Sequence, residues 1–286
     1  VSGAPDVLLA TSSGYPHGEA GHAVLTEALA RRGLTSRWVV WDDPSVDWTA
    51  AGLVAARSTW DYETRLPEFL AWARSVGPTL LNGAEVFTWN TDKAYLARLA
   101  EATTLPVVPT IAVGGPAEVP AALERVGLPA VVKPRVGAGG RGVTVVAPGE
   151  TWQPDDHGPW VVQPLVESVR TEGETSVFVI DGRAVSQVVK APAAGEVRVH
   201  EEHGGRSRAT DLDPEAAARA TETAALVGEL LGRPLDYARV DLLRHDGRLH
   251  VSEVEATEPG LYLPALPGNG EAFAALVERR LAAVRA

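Results

Sequence analysis

Short apolar runs alternate with stretches of helical periodicity over the first third of the chain. Residues 7–10 read as a strand. From 19 to 32, Val24, Leu25, Ala28 and Leu29 recur at helical spacing, and Gly33 supplies the stop. Residues 36–41 and 53–57 read as two more strands. Residues 67–76 read as a helix, because Pro67 suits a first turn and Phe69, Trp72, Ala73 and Val76 share one face. A brief strand over 79–81 and a helix over 91–102 follow. This alternation predicts a small open parallel sheet.

The middle and end of the chain favour antiparallel pairs. A helix over 117–126, ended by Gly127, precedes strands at 130–134, 143–146 and 160–163. Residues 174–180 and 184–190 form a predicted hairpin around Asp181-Gly182. Residues 195–208 are polar and glycine-bearing and read as a mobile loop. Asp213-Pro214-Glu215 is a strong helix start, and that helix runs to about 231, with Gly232 as its stop. Residues 237–244 and 249–255 form a second hairpin, and 271–286 a terminal amphipathic helix. The sequence contains no internal repeat.

The 286 residues, 45% of them hydrophobic, suit a globular protein of two or three packed subdomains. A net charge of −11 argues against duplex DNA as a partner, since such binding rests on cationic contacts to phosphate. With no cysteine, disulfides, thiolate catalysis and Cys-ligated zinc are excluded. No apolar run approaches the ~20 residues of a membrane span, and the first residues carry no secretory pattern. The expectations are a cytoplasmic protein with no nucleic-acid or membrane partner, and with a homodimer left open. Only Lys93, Lys133 and Lys190 are lysine among 26 basic residues. Where arginine has replaced lysine so widely, the survivors are candidates for work that needs a compact ammonium.

Residues 137–142 read Gly-Ala-Gly-Gly-Arg-Gly, which satisfies the dinucleotide fingerprint G-x-G-x-x-G. That fingerprint requires a following helix, whose N-terminus holds the pyrophosphate. Val-Thr-Val-Val follows instead, a β-branched run that reads as strand. Strand–glycine loop–strand is the form of a flap over ATP phosphates, with a plain hairpin turn as the bland alternative. Lys133, at the end of the feeding strand, could meet a phosphate beneath that flap.

In the second hairpin, Arg239 and Asp241 share one strand face, and Glu253 and Glu255 share one face of the next. A two-residue Asp246-Gly247 turn would put Asp241 opposite Ser252 and leave Glu253 on the other side. A three-residue loop, His245-Asp246-Gly247, pairs odd with odd and is the predicted form. The three carboxylates then converge as hard ligands for Mg²⁺. A solvated acidic face is the alternative. His200-Glu-Glu-His203 has the wrong spacing for the helical zinc motif.

Together these features resemble the ATP-grasp superfamily near glutathione synthetase. The ordered match runs through Asn90-Thr-Asp-Lys93, Lys133-Pro134 with the glycine loop, Gln163-Pro-Leu-Val166, Gly173-Glu174, Lys190, Arg198, Asp241 and Glu253-Val-Glu255. A second set, Arg57-Ser-Thr-Trp60-Asp61-Tyr62, Leu81-Asn82 and Trp89-Asn90-x-x-Lys93-x-Tyr95-Leu96, resembles a small-molecule branch that includes O-ureido-D-serine cyclo-ligase of D-cycloserine biosynthesis. The resemblance implies an α/β ATP-grasp fold. Its parts would be a parallel substrate-side subdomain (1–110), a small central subdomain with the glycine loop (111–165) and a C-terminal subdomain (166–286).

The resemblance also implies roles. Lys93, Lys133, Gly137, Gly139, Gly140 and Gly142 would meet ATP phosphates. Gln163, Pro164, Leu165 and Val166 would flank the adenine, and Glu174 would take the ribose hydroxyls. Asp241, Glu253 and Glu255 would hold one or two Mg²⁺, with Mn²⁺ as a substitute. Many relatives have asparagine where Glu255 stands, which leaves the metal count open. Arg198, Arg239 and Lys190 would act on the substrate carboxylate or the transferred phosphate. Arg57, Asp61 and Tyr62 are candidate substrate contacts; the alternative is an Arg57–Asp61 structural pair beside core aromatics. His17 and His22 are candidates for the same pocket, with exposed surface positions as the alternative. The implied reaction is ATP-dependent activation of a small-molecule carboxylate as an acyl phosphate, followed by attack of an amine-like nitrogen, within the same molecule in the cyclo-ligase form. The alternatives are an intermolecular amino-acid or peptide ligase, a small-molecule kinase, a nucleotide-binding protein without turnover, and a nicotinamide oxidoreductase if a helix follows Gly142.

Overall fold

A computed structural model describes residues 4–154 and 158–285. Residues 1–3 and the expected helix end at Ala286 lie outside the described residues. The first unit is a parallel sheet of β1 (Val7–Thr11), β2 (Ser36–Val40) and β3 (Leu53–Ser58), with α1 (His22–Arg31) as the β1–β2 crossover. The strand order is β2-β1-β3. β1 and β3 are buried along their whole length, as an unbroken apolar run in a parallel sheet requires. α2 (Leu66–Val76) lays Phe69, Trp72, Ala73 and Val76 on one sheet face, against Leu8, Ala10, Val54 and Ala56. The expected strand at 79–81 is a 3₁₀ turn, Gly77–Thr79, and a single bridge from Leu80 to Val54.

The helix expected over 91–102 is the shorter α4 (Tyr95–Ala102), and a helix that the sequence reading did not expect, α3 (Gly83–Asn90), precedes it. Tertiary bonds explain the break between the two. Asn90 donates to Val254 O and accepts from the N–H groups of Ala256 and Thr257. Three residues on, the Lys93 N–H is drawn to Arg135 O at 2.8 Å. The break turns the corner carrying Lys93 toward the centre of the molecule.

The second unit is a four-stranded sheet in the order β4-β7-β5-β6, from β4 (Ile111–Val113), β5 (Ala130–Pro134), β6 (Thr144–Val146) and β7 (Trp160–Pro164). Its hydrogen-bonded pairs are antiparallel. α5 (Val119–Val126) closes it over a core of its own that includes Val119, Ala122, Val132, Trp160 and Val162. β6, not a helix, follows the glycine loop, so the dinucleotide reading fails.

After the short α6 (Ser168–Thr171), the third unit is a five-stranded sheet in the order β10-β9-β8-β11-β12. Its strands are β8 (Glu174–Ile180), β9 (Arg183–Ala191), β10 (Arg206–Thr210), β11 (Tyr237–His245) and β12 (Arg248–Glu255), with α7 (Pro214–Leu230) inserted before β11. The Asp213 carboxylate caps α7 by accepting from the Ala216 N–H. β10 lies where a loop was expected. It is an edge strand, for which polar side chains on both faces are tolerable, and its backbone pairs with Gln187–Ala191.

The β11–β12 hairpin corrects the expected loop. The turn is the two-residue Asp246-Gly247, both left-handed at φ 49° and 76°. Odd still meets odd, because a bulge shifts the register: Leu242 pairs with Val251, whereas Asp241 pairs with Glu253. Ser252 is the extra residue, and both Ser252 and Glu253 line the central cleft. α8 (Gly268–Arg285) packs on α1 and shares one core with Leu9, Phe178, Ile180 and Tyr237. No helix of the described residues is long and apolar enough to cross a membrane.

Candidate active site

The three units surround a cleft of about 710 Å³. Lys133 from β5 and Glu253 from β12 both line it, as do Lys93, Lys190, Arg198, Arg239, Asp241 and Glu255. Asp241, Glu253 and Glu255 each offer an oxygen, and these lie within 4.8 Å of one another. Lys93 Nζ reaches Glu253 Oε1 at 2.8 Å and donates to Gly137 O at 2.9 Å, tying the acidic hairpin to the glycine loop. Arg239 binds Asp241 through two nitrogens at 2.8 Å each and Glu255 at 2.5 Å. Lys190 Nζ lies 3.0 Å from Glu174 and 3.1 Å from Asp241.

Electrostatics separate these groups. Burial pushes the Asp241 carboxyl up, but Arg239 and Lys190 hold it well below the usual range. Burial also acts on Glu253, and Lys93 and Lys133 overcome it to lower that pKa. Glu255 is less well compensated: burial pushes it up to about 7, against the opposing pull of Arg239. Burial drives the Lys133 ammonium down, and Lys133 makes no ion pair among the described residues. An ammonium free of salt bridges beside an over-acidic triad suits a bound anion–cation pair such as a metal triphosphate. The triad fits a divalent metal by its donor set, three carboxylate oxygens within 4.8 Å of one another.

The glycine loop closes the cleft's roof. Gly137, Gly139 and Gly140 line it; Gly142, at φ 67°, completes the turn outside the lining, so its expected phosphate contact has no geometric support. Glu63 accepts from the Ala138 N–H at 2.6 Å and also pairs with Arg141. His203 Nε2 meets Gly139 O at 3.1 Å. Gln163, Pro164, Leu165, Val166 and Glu174 line one end of the cleft, and Gln163 Nε2 donates to Thr110 Oγ1. Burial raises the Glu174 pKa against the pull of Lys190. Arg198 lines the cleft and pairs with Glu196 at 2.5 Å.

The expected substrate contacts divide. Asp61 and Tyr62 line the cleft. Arg57 does not: its side chain is fully buried, 3.3 Å from Glu19 and 2.5 Å from Pro259 O, with its guanidinium over the rings of Tyr237 and Phe273. Nor does Arg57 pair with Asp61, which instead accepts from Trp41 Nε1 and Arg65. The apolar strand β3 carries Arg57 inward, where Glu19 and the carbonyls of Ala56 and Pro259 accept from it. Glu19 lies before α1, not within it as periodicity suggested. His17 and His22 line nothing in the cleft.

Three lining residues, Glu19, Glu258 and His200, and one residue outside the lining, Glu63, were not read as site residues from the sequence. Glu19 and Glu258 are 3% and 7% exposed. Glu63 holds the glycine loop. His200 has a buried Nδ1 with no partner, and burial followed by Lys190 pushes its pKa down to about 4. The one signal for Glu258 was its place three residues beyond Glu255; the turn-like Thr-Glu-Pro-Gly context pointed to a solvated loop.

Comparisons with known proteins follow this division of the chain. Residues 7–82 match the family model of the D-cycloserine synthetase DcsG N-terminal domain, and residues 98–259 match the ATP-grasp domain of prokaryotic glutathione synthetase. The cycloserine biosynthesis protein DcsG of Streptomyces lavendulae is 33% identical over 278 residues, covering 90% of this chain and 92% of that protein. The crystal structure of D-cycloserine synthetase DcsG superposes with a TM-score of 0.84 at 29% identity, over 96% of this chain and 99% of the other. The fold extends to D-alanine–D-alanine ligase from Bacillus anthracis, with a TM-score of 0.68 at 16% identity, covering 99% of each chain.

Proposed function

Because this chain belongs to the ATP-grasp ligase family represented by D-cycloserine synthetase and prokaryotic glutathione synthetase, we propose that it closes a ring within a small amino-acid-like carboxylate, with O-ureido-D-serine as substrate and D-cycloserine as product. The chain is an ATP-dependent ligase that forms C–N bonds. The observation that carries the finer reading is that likeness to DcsG extends through the substrate-side unit, residues 7–82, and is not confined to the nucleotide-binding units.

In this reading the chain has three subdomains, 1–110, 111–165 and 166–286, which clasp ATP. The triphosphate lies between the glycine loop and the acidic hairpin. Gln163, Pro164, Leu165 and Val166 border the base, and Glu174 borders the ribose. Asp241, Glu253 and Glu255 would hold Mg²⁺, which would supply charge neutralisation for the phosphates.

The substrate carboxylate attacks the γ-phosphorus, and ADP leaves. Lys93 and Lys133 are placed to balance charge on the transferring phosphoryl group; Arg198, Arg239 and Lys190 surround the same space. The acyl phosphate carbon then receives a nitrogen lone pair from the same molecule. The nitrogen loses its proton, phosphate leaves with the C–O electron pair, and an amide bond closes the ring; water then cleaves the carbamoyl group from that nitrogen, which departs as carbon dioxide and ammonia and leaves D-cycloserine. Proximity favours ring closure over capture by another amine. The glycine loop and residues 196–205 exclude water, which would otherwise hydrolyse the acyl phosphate.

A coupled ADP-release assay with O-ureido-D-serine, followed by product analysis, tests the reading. The expected result is ADP, phosphate, D-cycloserine, carbon dioxide and ammonia, with turnover at least roughly 100-fold lower in Lys133→Ala. A stable phosphoester would instead identify a kinase, and wild-type turnover in Lys133→Ala would remove Lys133 from the chemistry.

A further inference from the structure

Glu258 is the carboxyl group that the cleft leaves without a counter-charge. It is 7% exposed and lines the cleft. Apart from its own backbone N–H, its carboxyl meets no hydrogen-bond donor or cation at bonding distance among the described residues. The other acids nearby are all served: Glu253 by Lys93, Glu255 by Arg239, Asp241 by Arg239 and Lys190, and Glu19 by Arg57.

The loop after β12 carries Glu258 beyond the acidic triad, to the end of the cleft walled by Trp60 and Tyr62. Trp60 Nε1 pins that loop by donating to Glu258 O at 3.3 Å. Tyr15, 44% exposed, packs edge-on against Trp60 with ring centroids 4.8 Å apart, at the open side of the same end.

A desolvated carboxylate without a partner costs stability, and the group escapes that cost either by taking up a proton or by gaining a positive partner. Burial, then the like charge of Glu255, push Glu258 up to about 8; Arg239 and Lys93 oppose this from across the cleft but are engaged on other carboxylates. A second metal ion is the poorer occupant, because Glu258 is not among the carboxylates grouped closely enough to share one. An ammonium needs one carboxylate and tolerates aromatic faces, which Trp60, Tyr62 and Tyr15 supply.

We infer that Glu258 receives the ammonium group of an amino-acid-like substrate and thereby turns its carboxylate toward the acidic triad and Lys133. The inference rests on the ligase reading of this cleft and makes Glu258 a specificity-determining residue within it.

The test measures the rise in Tm of the full chain, with Mg²⁺ and a non-hydrolysable ATP analogue, on adding matched pairs of ligands. The pairs are O-ureido-D-serine with its deamino analogue, and a panel of α-amino acids with their α-hydroxy counterparts. Wild type should favour the amino member by roughly 10- to 100-fold in apparent affinity, the range of a charge-assisted hydrogen bond. Glu258→Gln should abolish that preference and Glu258→Asp keep part of it. The response of each variant to the ATP analogue alone checks folding. No amino preference in wild type, for want of any binding or through equal binding, overturns the inference, as does an undiminished preference in Glu258→Gln. ADP release is read separately: turnover without amino preference sinks the ammonium site alone, and amino preference without turnover on any carboxylate sinks the ligase reading alone.

Discussion

Arg57 and Lys133 both sit in dry surroundings, yet only one is available to a ligand. Arg57 has Glu19, two carbonyls and two aromatic faces; Lys133 makes no salt bridge among the described residues. Removing Arg57 strands the Glu19 carboxylate at 4% side-chain exposure. Arg57→Ala should therefore lower unfolding stability by about 3–5 kcal/mol, the usual result of breaking a buried pair from one side. Urea denaturation measures it, and a stable variant with a raised KM would return Arg57 to the substrate. Glu258 gives a prediction in the opposite direction. In metal-free protein it ionises at about 8 when folded, against 4.5 for the ordinary group. Between those values the folded state holds more protons than the unfolded state, so stability falls as pH rises. Glu255, raised to about 7, adds a fall of the same sign. In Glu258→Gln the decline of Tm between about pH 5 and pH 8 should be shallower, and the variant should melt above wild type at about pH 8. Parallel melting curves in EDTA would show that Glu258 is compensated after all.

Among the elements, the glycine loop is held by partners from two other parts of the fold. Glu63, on the 3₁₀ turn Tyr62–Thr64, takes the Ala138 N–H and Arg141, while Lys93 and His203 bind the carbonyls of Gly137 and Gly139. Tyr62 of the same turn lines the substrate end, so that turn joins the two ends of the cleft. Glu63→Ala should free the loop, raise KM for ATP by roughly 10-fold, and speed proteolysis at Arg141. Unchanged cleavage kinetics would show that the loop is held by its own turn. None of these clamps could be read from spacing, because each joins positions 44 to 78 residues apart. The hairpin was legible in its outcome and misread in its means. The alternation of Arg239, Asp241, Glu253 and Glu255 demanded one face, but a bulge at Ser252 achieved it in place of a longer turn. A single extra residue leaves no compositional trace. The start of the helix expected over 91–102 was misplaced because Asn90 and Lys93 bond outward, which local propensity does not register.

Across the whole molecule, the three sheets are not equally joined. α8 links the parallel sheet to the five-stranded sheet in a single core, in which Leu9 and Leu25 meet Phe178, Tyr237, Phe273 and Val277. α3 and α4 add Val86, Tyr95 and Leu96 to the five-stranded sheet's other core. The core of the four-stranded sheet lies wholly within residues 111–162. Among the described residues its ties to the rest include polar ones: Arg135 with Asp92, Lys93 with Gly137 and Arg135, Glu63 with Ala138 and Arg141, and His203 with Gly139. One welded body and one lightly tied sheet make a jaw, with the cleft as its gap. Polar ties give way at lower free energy than a shared apolar core, so the small sheet should open on its own before global unfolding. A ligand spanning the gap adds its binding energy only to the closed form. Hydrogen exchange should thus slow most at 130–146 and 197–205 when Mg²⁺ and an ATP analogue are added, and least in β1 and β3. Equal protection of all three sheets would mean that the molecule opens as one body, and that the polar ties hold as firmly as the cores.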